Sequence, residues 1–169
     1  MRDPHLYPAF SLRSLLLLVV AMLPSMVASM AGSWLTIPSL EGWYATLNKP
    51  FFTPPNIVFP LVWTFLYALM ALSFWRVLRA RPEAGPKTSA ILIFLGQMVV
   101  NVGWSWAFFA KRSPYLGLVV VGLLFLAILM TIRAFREIDR PAGYALVPYL
   151  AWVGFASLLN GAIAINNPG

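Results

Sequence analysis

The chain has 169 residues, no cysteine, a single histidine (His5), 60% hydrophobic and 10% charged residues, a formal charge of +7 and a mean hydropathy of +0.79. Soluble domains carry about 25% charged residues, so this composition excludes an ordinary water-soluble domain and calls for a bilayer as apolar solvent. Without cysteine there is no disulfide, thiolate metal site or cysteine nucleophile, and one histidine supports neither a multi-histidine metal centre nor a Ser-His-Asp triad.

Five uncharged stretches follow in chain order: Ser14–Leu40, Pro50–Trp75, Thr88–Ala110, Ser113–Ile132 and Pro141–Gly169. Each reaches the roughly 20 residues that a helix needs to cross about 30 Å of hydrocarbon. Loop chemistry trims them to spans over 14–36, 57–78, 88–109, 114–135 and 142–164. The expected fold is an all-α integral membrane protein, with residues 1–169 forming a single bundle of five transmembrane helices.

In the first stretch Arg13, the run Leu15–Leu23, Pro24 and Ala28-Ser29-Met30-Ala31 resemble a secretory signal with its cleavage site. Against cleavage, the apolar pattern runs on to Ile37, and Ser25, Ser29 and Ser33 recur every four residues as a stripe suited to close helix packing. Gly96, Gly103 and Ala107 offer a second such stripe, and either could serve a dimer or the bundle itself. Pro24 in the first span and Pro148 in the fifth each remove a backbone bond and are expected to bend their helices.

The connection over 37–56 is unusual. Pro50, Pro54, Pro55 and Pro60 stiffen its end, which predicts an extended strap. Trp43, Tyr44, Phe51, Phe52 and Phe59 would avoid water by folding as a lid over the helix ends, the alternative being a loop lying on headgroups. Five crossings put nine Lys and Arg on one face (Arg2, Arg13, Arg76, Arg79, Arg81, Lys87, Arg133, Arg136, Arg140) and three on the other (Lys49, Lys111, Arg112). In a cytoplasmic membrane this bias predicts a cytoplasmic N-terminus and an outside lid. The same basic segments read as contacts with membrane lipids, not nucleic acid.

Asp3, Glu41, Glu83, Glu137 and Asp139, with every Lys and Arg, fall in flanks or connections, leaving tyrosine as the ionisable residue at depth. Ion pumping and acid–base catalysis both need more than that. Three helical faces carry rings and amides instead: Trp63, Tyr67, Met70 and Phe74; Gln97, Asn101, Trp104 and Phe108; Tyr149, Trp152, Ala156 and Asn160. Trp34, Trp43, Trp75 and Trp106 lie near span ends, as interfacial belt residues do. Gln97, Asn101 and Asn160 fit interhelical hydrogen bonding and a ligand pocket equally well. Trp63, Trp104 and Trp152, each sharing a face with buried polar groups, point to a cavity for a flat, largely apolar ligand.

Three blocks then carry a specific resemblance: Trp43-Tyr44-x-x-Leu47-Asn48-Lys49-Pro50-x-x-x-Pro54-Pro55-x-x-x-Phe59-Pro60-x-x-Trp63-Thr64-x-x-Tyr67, Gln97-x-x-x-Asn101-x-x-Trp104-Ser105-x-x-Phe108-Phe109, and Pro148-Tyr149-Leu150-Ala151-Trp152-x-x-Phe155-Ala156-x-x-Leu159-Asn160. Together they resemble the translocator protein family, also called tryptophan-rich sensory proteins or peripheral-type benzodiazepine receptors, over about residues 33–162. The resemblance implies five tilted helices, often a homodimer, and a pocket under the first connection for protoporphyrin IX, haem, sterols or benzodiazepine-like compounds. Matched by motif, the ligand-binding positions are Trp43, Tyr44, Pro54, Trp63, Tyr67, Asn101, Trp104, Trp152, Ala156 and Asn160. No cofactor or metal is implied beyond the porphyrin ligand.

For some bacterial relatives the resemblance further implies light- and oxygen-dependent breakdown of protoporphyrin IX at tryptophans that match Trp63 and Trp152. Phe52 stands where many relatives have tryptophan, and no basic residue follows Arg140 to complete the family's sterol pattern near the end of the fifth span. The leading expectation is a membrane receptor or sensor for porphyrins that regulates tetrapyrrole handling or a stress response. Its alternatives are a light-dependent porphyrin-degrading enzyme and a transporter of porphyrin or a lipid-like solute.

Overall fold

The computed structural model describes residues 6, 8–9, 11–81 and 86–168; Arg2, Asp3, His5 and Glu83 lie outside the described residues. Among the described residues the helices are α1 (Leu12–Leu40), α2 (Trp43–Thr46), α3 (Val58–Arg79), α4 (Lys87–Ser105, continued by a π-turn over Trp106–Ala110), α5 (Pro114–Ile138), α6 (Arg140–Tyr144) and α7 (Val147–Asn166). The segments Leu12–Leu40, Val58–Arg79, Lys87–Ala110, Pro114–Ile138 and Arg140–Asn166 are each long and apolar enough to cross a bilayer.

The helices run past the expected 14–36, 57–78, 88–109, 114–135 and 142–164, because charge does not end them. Arg76 and Arg79 lie in the last turn of α3, Lys87 opens α4, and Arg133, Arg136 and Glu137 ride the end of α5. Long charged side chains can bury their stems along a helix while their heads reach the interface. Caps define the ends better. Ser11 Oγ accepts from Ser14 N–H at the start of α1, and Ser113 Oγ accepts from Leu116 N–H at the start of α5, where Pro114 needs no partner for a missing N–H.

Helix α1 continues through both Pro24 and Pro38 and lies along α3 and α4. Its inward face is Ala21, Ser25, Ala28, Gly32 and Ser39, not the expected Ser25, Ser29, Ser33 stripe: Ser29 is half-buried and Ser33 exposed. A residue eight positions on has turned about 80° away, whereas alternating steps of three and four stay on one face. A Cβ on Gly32 would meet Ser105 Oγ at 3.4 Å, so the α1 backbone comes close to α4. In the second stripe Gly103 faces Val120 and Ala107 is buried, but Gly96 is open to its surroundings.

The fifth span does not bend at Pro148. It is interrupted at 145–146, between α6 and α7, and Pro148 falls in the first turn of α7, where its missing N–H leaves no broken bond.

The basic end of the bundle is filled by stacked Phe74, Phe94 and Phe135, with centroids 4.4 Å (Phe74–Phe94) and 5.6 Å (Phe94–Phe135) apart. Next to them the Asp139 carboxylate accepts from Arg76 Nε at 2.5 Å and Nη2 at 3.0 Å, caps α6 through Ala142 N–H at 3.0 Å, and is buried. Ser73 Oγ donates to Ala142 O, so the end of α3 holds the α5–α6 corner. The sequence placed Asp139 in a flank and contained no signal that it would be buried.

Candidate functional site

At the opposite end the helices are joined by rings. Helix α4 lies directly against α5, whereas α3 and α7 meet through side chains: Phe59 against Trp152 at 5.9 Å and Trp63 against Tyr149 at 6.2 Å between centroids. Trp63 also stacks on Trp104 of α4 at 6.3 Å and lies 5.6 Å from Tyr67. Trp104 continues the layer to Phe108 and Phe109, each at 5.9 Å.

The π-turn explains how two consecutive phenylalanines both face inward. Lys111 N–H reaches back five residues to Trp106 O, so the turn is wider than an α-turn, and Phe108 and Phe109 are both buried. Ser39 Oγ of α1 donates to Phe109 O at 2.9 Å. Arg112, at φ 52°, closes the turn in the left-handed region before Ser113 caps α5.

Polar groups run through this layer. Tyr67 O–H donates to Asn101 Oδ1 and Asn101 Nδ2 donates to the Tyr149 hydroxyl, both at 2.8 Å, joining α3, α4 and α7. Trp104 Nε1–H donates to Asn160 Oδ1 at 3.2 Å, and Asn160 Nδ2 donates to Pro114 O at 2.7 Å. Both asparagines are buried and bonded across helices within the ring layer itself.

The connection after α1 covers these rings, but not as an extended strap. Trp43–Thr46 makes one helical turn, and further turns close from Thr53 N–H to Pro50 O and from Val58 N–H to Pro55 O. Proline's fixed φ suits turns as well as extended chain. Trp43 packs edge-on against Phe108 at 5.5 Å, so it is no belt residue. Among the other tryptophans assigned to the belt, Trp34 and Trp106 are exposed, while Trp75 is half-buried and donates to Ser14 O. Tyr44 is buried between Phe108 and Phe109, with Lys49 Nζ 4.5 Å from its ring centroid. Asn48 N–H donates to Asn167 Oδ1 and Asn167 Nδ2 donates to Asn48 O, latching the connection to the end of α7. Phe51 does not fold inward; it is fully exposed and touches Phe52.

Trp43, Tyr44, Trp63, Tyr67, Asn101, Trp104 and Asn160 thus fall in one connected group of rings and amides. Trp152 belongs to an adjoining group with Phe59, Phe155 and, through Phe155, Phe52. Pro54 and Ala156 are half-buried. Phe108, Phe109 and Tyr149 join the layer, and Phe155 the adjoining group, although none was among the expected site residues; Phe108 was legible on the face of Asn101 and Trp104, and Tyr149 on that of Trp152 and Asn160.

Burial pushes the Tyr44 phenol above its ordinary value of 10.0. Its seat is therefore intact below pH about 10 and weakens as pH rises, because a released Tyr44 ionises first. In an alkaline absorbance titration, Tyr44→Phe should remove a phenol that ionises above the ordinary tyrosine range. Loss of one that ionises at the ordinary value contradicts this seating.

Comparison with known proteins shows the family. Residues 19–165 match the model of the TspO/MBR family. The chain is 41% identical over 138 residues to the tryptophan-rich protein TspO of Chlorobaculum tepidum, covering 82% of this chain and 87% of that protein. It is 38% identical over 120 residues to the tryptophan-rich sensory protein of Cereibacter sphaeroides, covering 71% and 73%. It is 32% identical over 133 residues to the translocator protein of Ovis aries, covering 75% and 76%. With five apolar spans and a family match over most of its length, the chain belongs to the TspO/MBR family and is an integral, multi-pass membrane protein.

Proposed function

We propose that this protein is a membrane receptor or sensor that binds protoporphyrin IX, haem or a related flat ligand in the ring layer between α3, α4 and α7, under the 41–57 connection. In this reading it regulates tetrapyrrole handling or a stress response. The supporting observation is the run of ring contacts from Trp43 through Phe108 and Trp104 to Trp63 and Tyr149, with Asn101 and Asn160 bonded inside it. A conjugated macrocycle can exchange ring–ring contacts worth about 0.5–1.5 kcal/mol each for contacts with itself. The basic end, including Arg76, Arg79, Lys87, Arg133 and Arg136, then faces the cytoplasm and the connection lies outside, in a homodimer surrounded by lipid.

A light-dependent breakdown of the porphyrin is favoured by one feature. Trp63 touches Tyr67, Trp104 and Tyr149 at once, so an indole that gives an electron to the photoexcited porphyrin, which passes it on to oxygen, can be re-reduced by a neighbouring ring.

Tryptophan fluorescence titrated with protoporphyrin IX, in dark and light, tests both readings. Saturable quenching is expected, weakened roughly fivefold to tenfold in Trp63→Phe. A light-dependent product that is lost in both Trp63→Phe and Trp152→Phe establishes the enzyme, and quenching without saturation overturns porphyrin binding.

A further inference from the structure

One turn below Asn101 on α4, toward the basic end, Gln97 is 2% exposed, and both its Nε2 and its Oε1 lack a hydrogen-bond partner. Ser25 of α1 is 3% exposed and its Oγ is also without a partner. The two residues lie at one depth. Helices α1 and α4 run in parallel, matched where a Gly32 Cβ would meet Ser105 Oγ at 3.4 Å and where Ser39 Oγ bonds Phe109 O. Ser25, seven residues below Gly32, stays near its face, whereas Gln97, eight below Ser105, is turned about 80° from it onto the face of Asn101 and Trp104; each lies roughly 10–12 Å down its helix. Buried polar atoms without partners are rare and destabilising, and three of them at one level of an apolar interior call for an explanation.

We propose that Gln97 and Ser25 form a polar floor to the ring layer that receives a neutral carboxylic acid group of the ligand. This rests on the porphyrin reading above and names the ligand's recognised edge. A primary amide and a carboxylic acid complement each other: Nε2–H donates to the acid carbonyl and the acid O–H donates to Oε1, while the serine hydroxyl supplies a third bond. The acid enters protonated because nothing at this depth neutralises a carboxylate. The titratable side chains facing the region are Tyr67 from α3 and Tyr149 from α7; α1 and α4 present Ser25, Gln97 and Asn101, and α5 carries no titratable residue over 116–132. A charge there would be buried without a counter-ion. With the macrocycle at the level of Trp63 and Trp104, the floor lies one helical turn below the Tyr67–Asn101 hydrogen bond, on the side that a descending propionic acid arm would face.

The full chain in lipid nanodiscs, titrated with protoporphyrin IX and with its dimethyl ester, tests the floor. The ester keeps the ring and loses the acid proton. Wild type should hold the diacid roughly tenfold more tightly than the ester. Gln97→Leu should abolish that preference by weakening the diacid alone, and should hold or raise Tm by removing an unsatisfied amide; Gln97→Met reads the same way should the leucine variant not be recovered folded. Ser25→Ala should lose part of the preference. Equal affinities in wild type, a preference that survives both Gln97 variants, or a fall in Tm that marks Gln97 as a packing residue would each overturn the floor. Saturable binding of neither probe overturns the porphyrin reading itself, and the floor with it, so the two failures are told apart.

Discussion

Asp139→Ala should destabilise the protein by about 3–5 kcal/mol, read as a lowered Tm or as unfolding at lower detergent denaturant. The carboxylate side chain is 4% exposed and answers three N–H groups at once, two from Arg76 and one from Ala142. Removing it strips Arg76 of a two-point partner and uncaps α6 together. The corner has little room to adjust, because a Cβ on Gly143 would lie 2.9 Å from Ile132 O and against the stem of Arg136. Replacing both members, as Arg76→Leu with Asp139→Leu, should recover much of the loss, since apolar side chains do not leave a buried charge behind. A loss under about 1 kcal/mol in Asp139→Ala would show the pair to be solvated and the corner to be held by other contacts.

This corner also marks where sequence reasoning stops. Hydropathy and run length reveal the spans because a bilayer demands continuous apolar helix. The three ring-bearing faces were legible because Trp63 and Tyr67, Asn101 and Trp104, and Tyr149 and Asn160 repeat at helical spacing. Partners across helices are another matter. Nothing local pairs Arg76 with Asp139 or Asn48 with Asn167, residues separated by 63 and 119 positions, because those choices are made by the packing of whole helices. The π-turn was hidden as well: Trp106–Ala110 reads as ordinary helix, and only the extra residue in the turn brings Phe108 and Phe109 inward together. The same limit applies to the proline-rich connection, whose prolines are as compatible with turns as with extended chain. Its form follows from the seat that Phe108 and Phe109 make for Tyr44.

Gly117→Ala should weaken the ligand site as well as the fold. A Cβ built on Gly117 of α5 would lie 2.8 Å from Phe108 Cδ2, 3.0 Å from Phe108 Cβ and 2.9 Å from Asn160 Oδ1. The ring cannot yield easily, because Trp43, Tyr44, Trp104 and Phe109 surround it. The amide cannot yield without loosening its bonds to Trp104 Nε1 and Pro114 O. Overpacking of this kind costs about 1–3 kcal/mol, and here the displaced atoms are the ring and amide that set the orientation of Trp104. Protoporphyrin IX should therefore bind at least tenfold more weakly to Gly117→Ala, with altered Trp104 emission before any ligand is added. Gly96→Ala provides the contrast. It sits on exposed α4 surface with nothing within 4 Å of the added methyl, so it should stabilise the helix by up to about 1 kcal/mol and leave binding unchanged. Equal effects of the two substitutions on binding would mean that glycine flexibility, and not the seat of Phe108 and Asn160, governs the site.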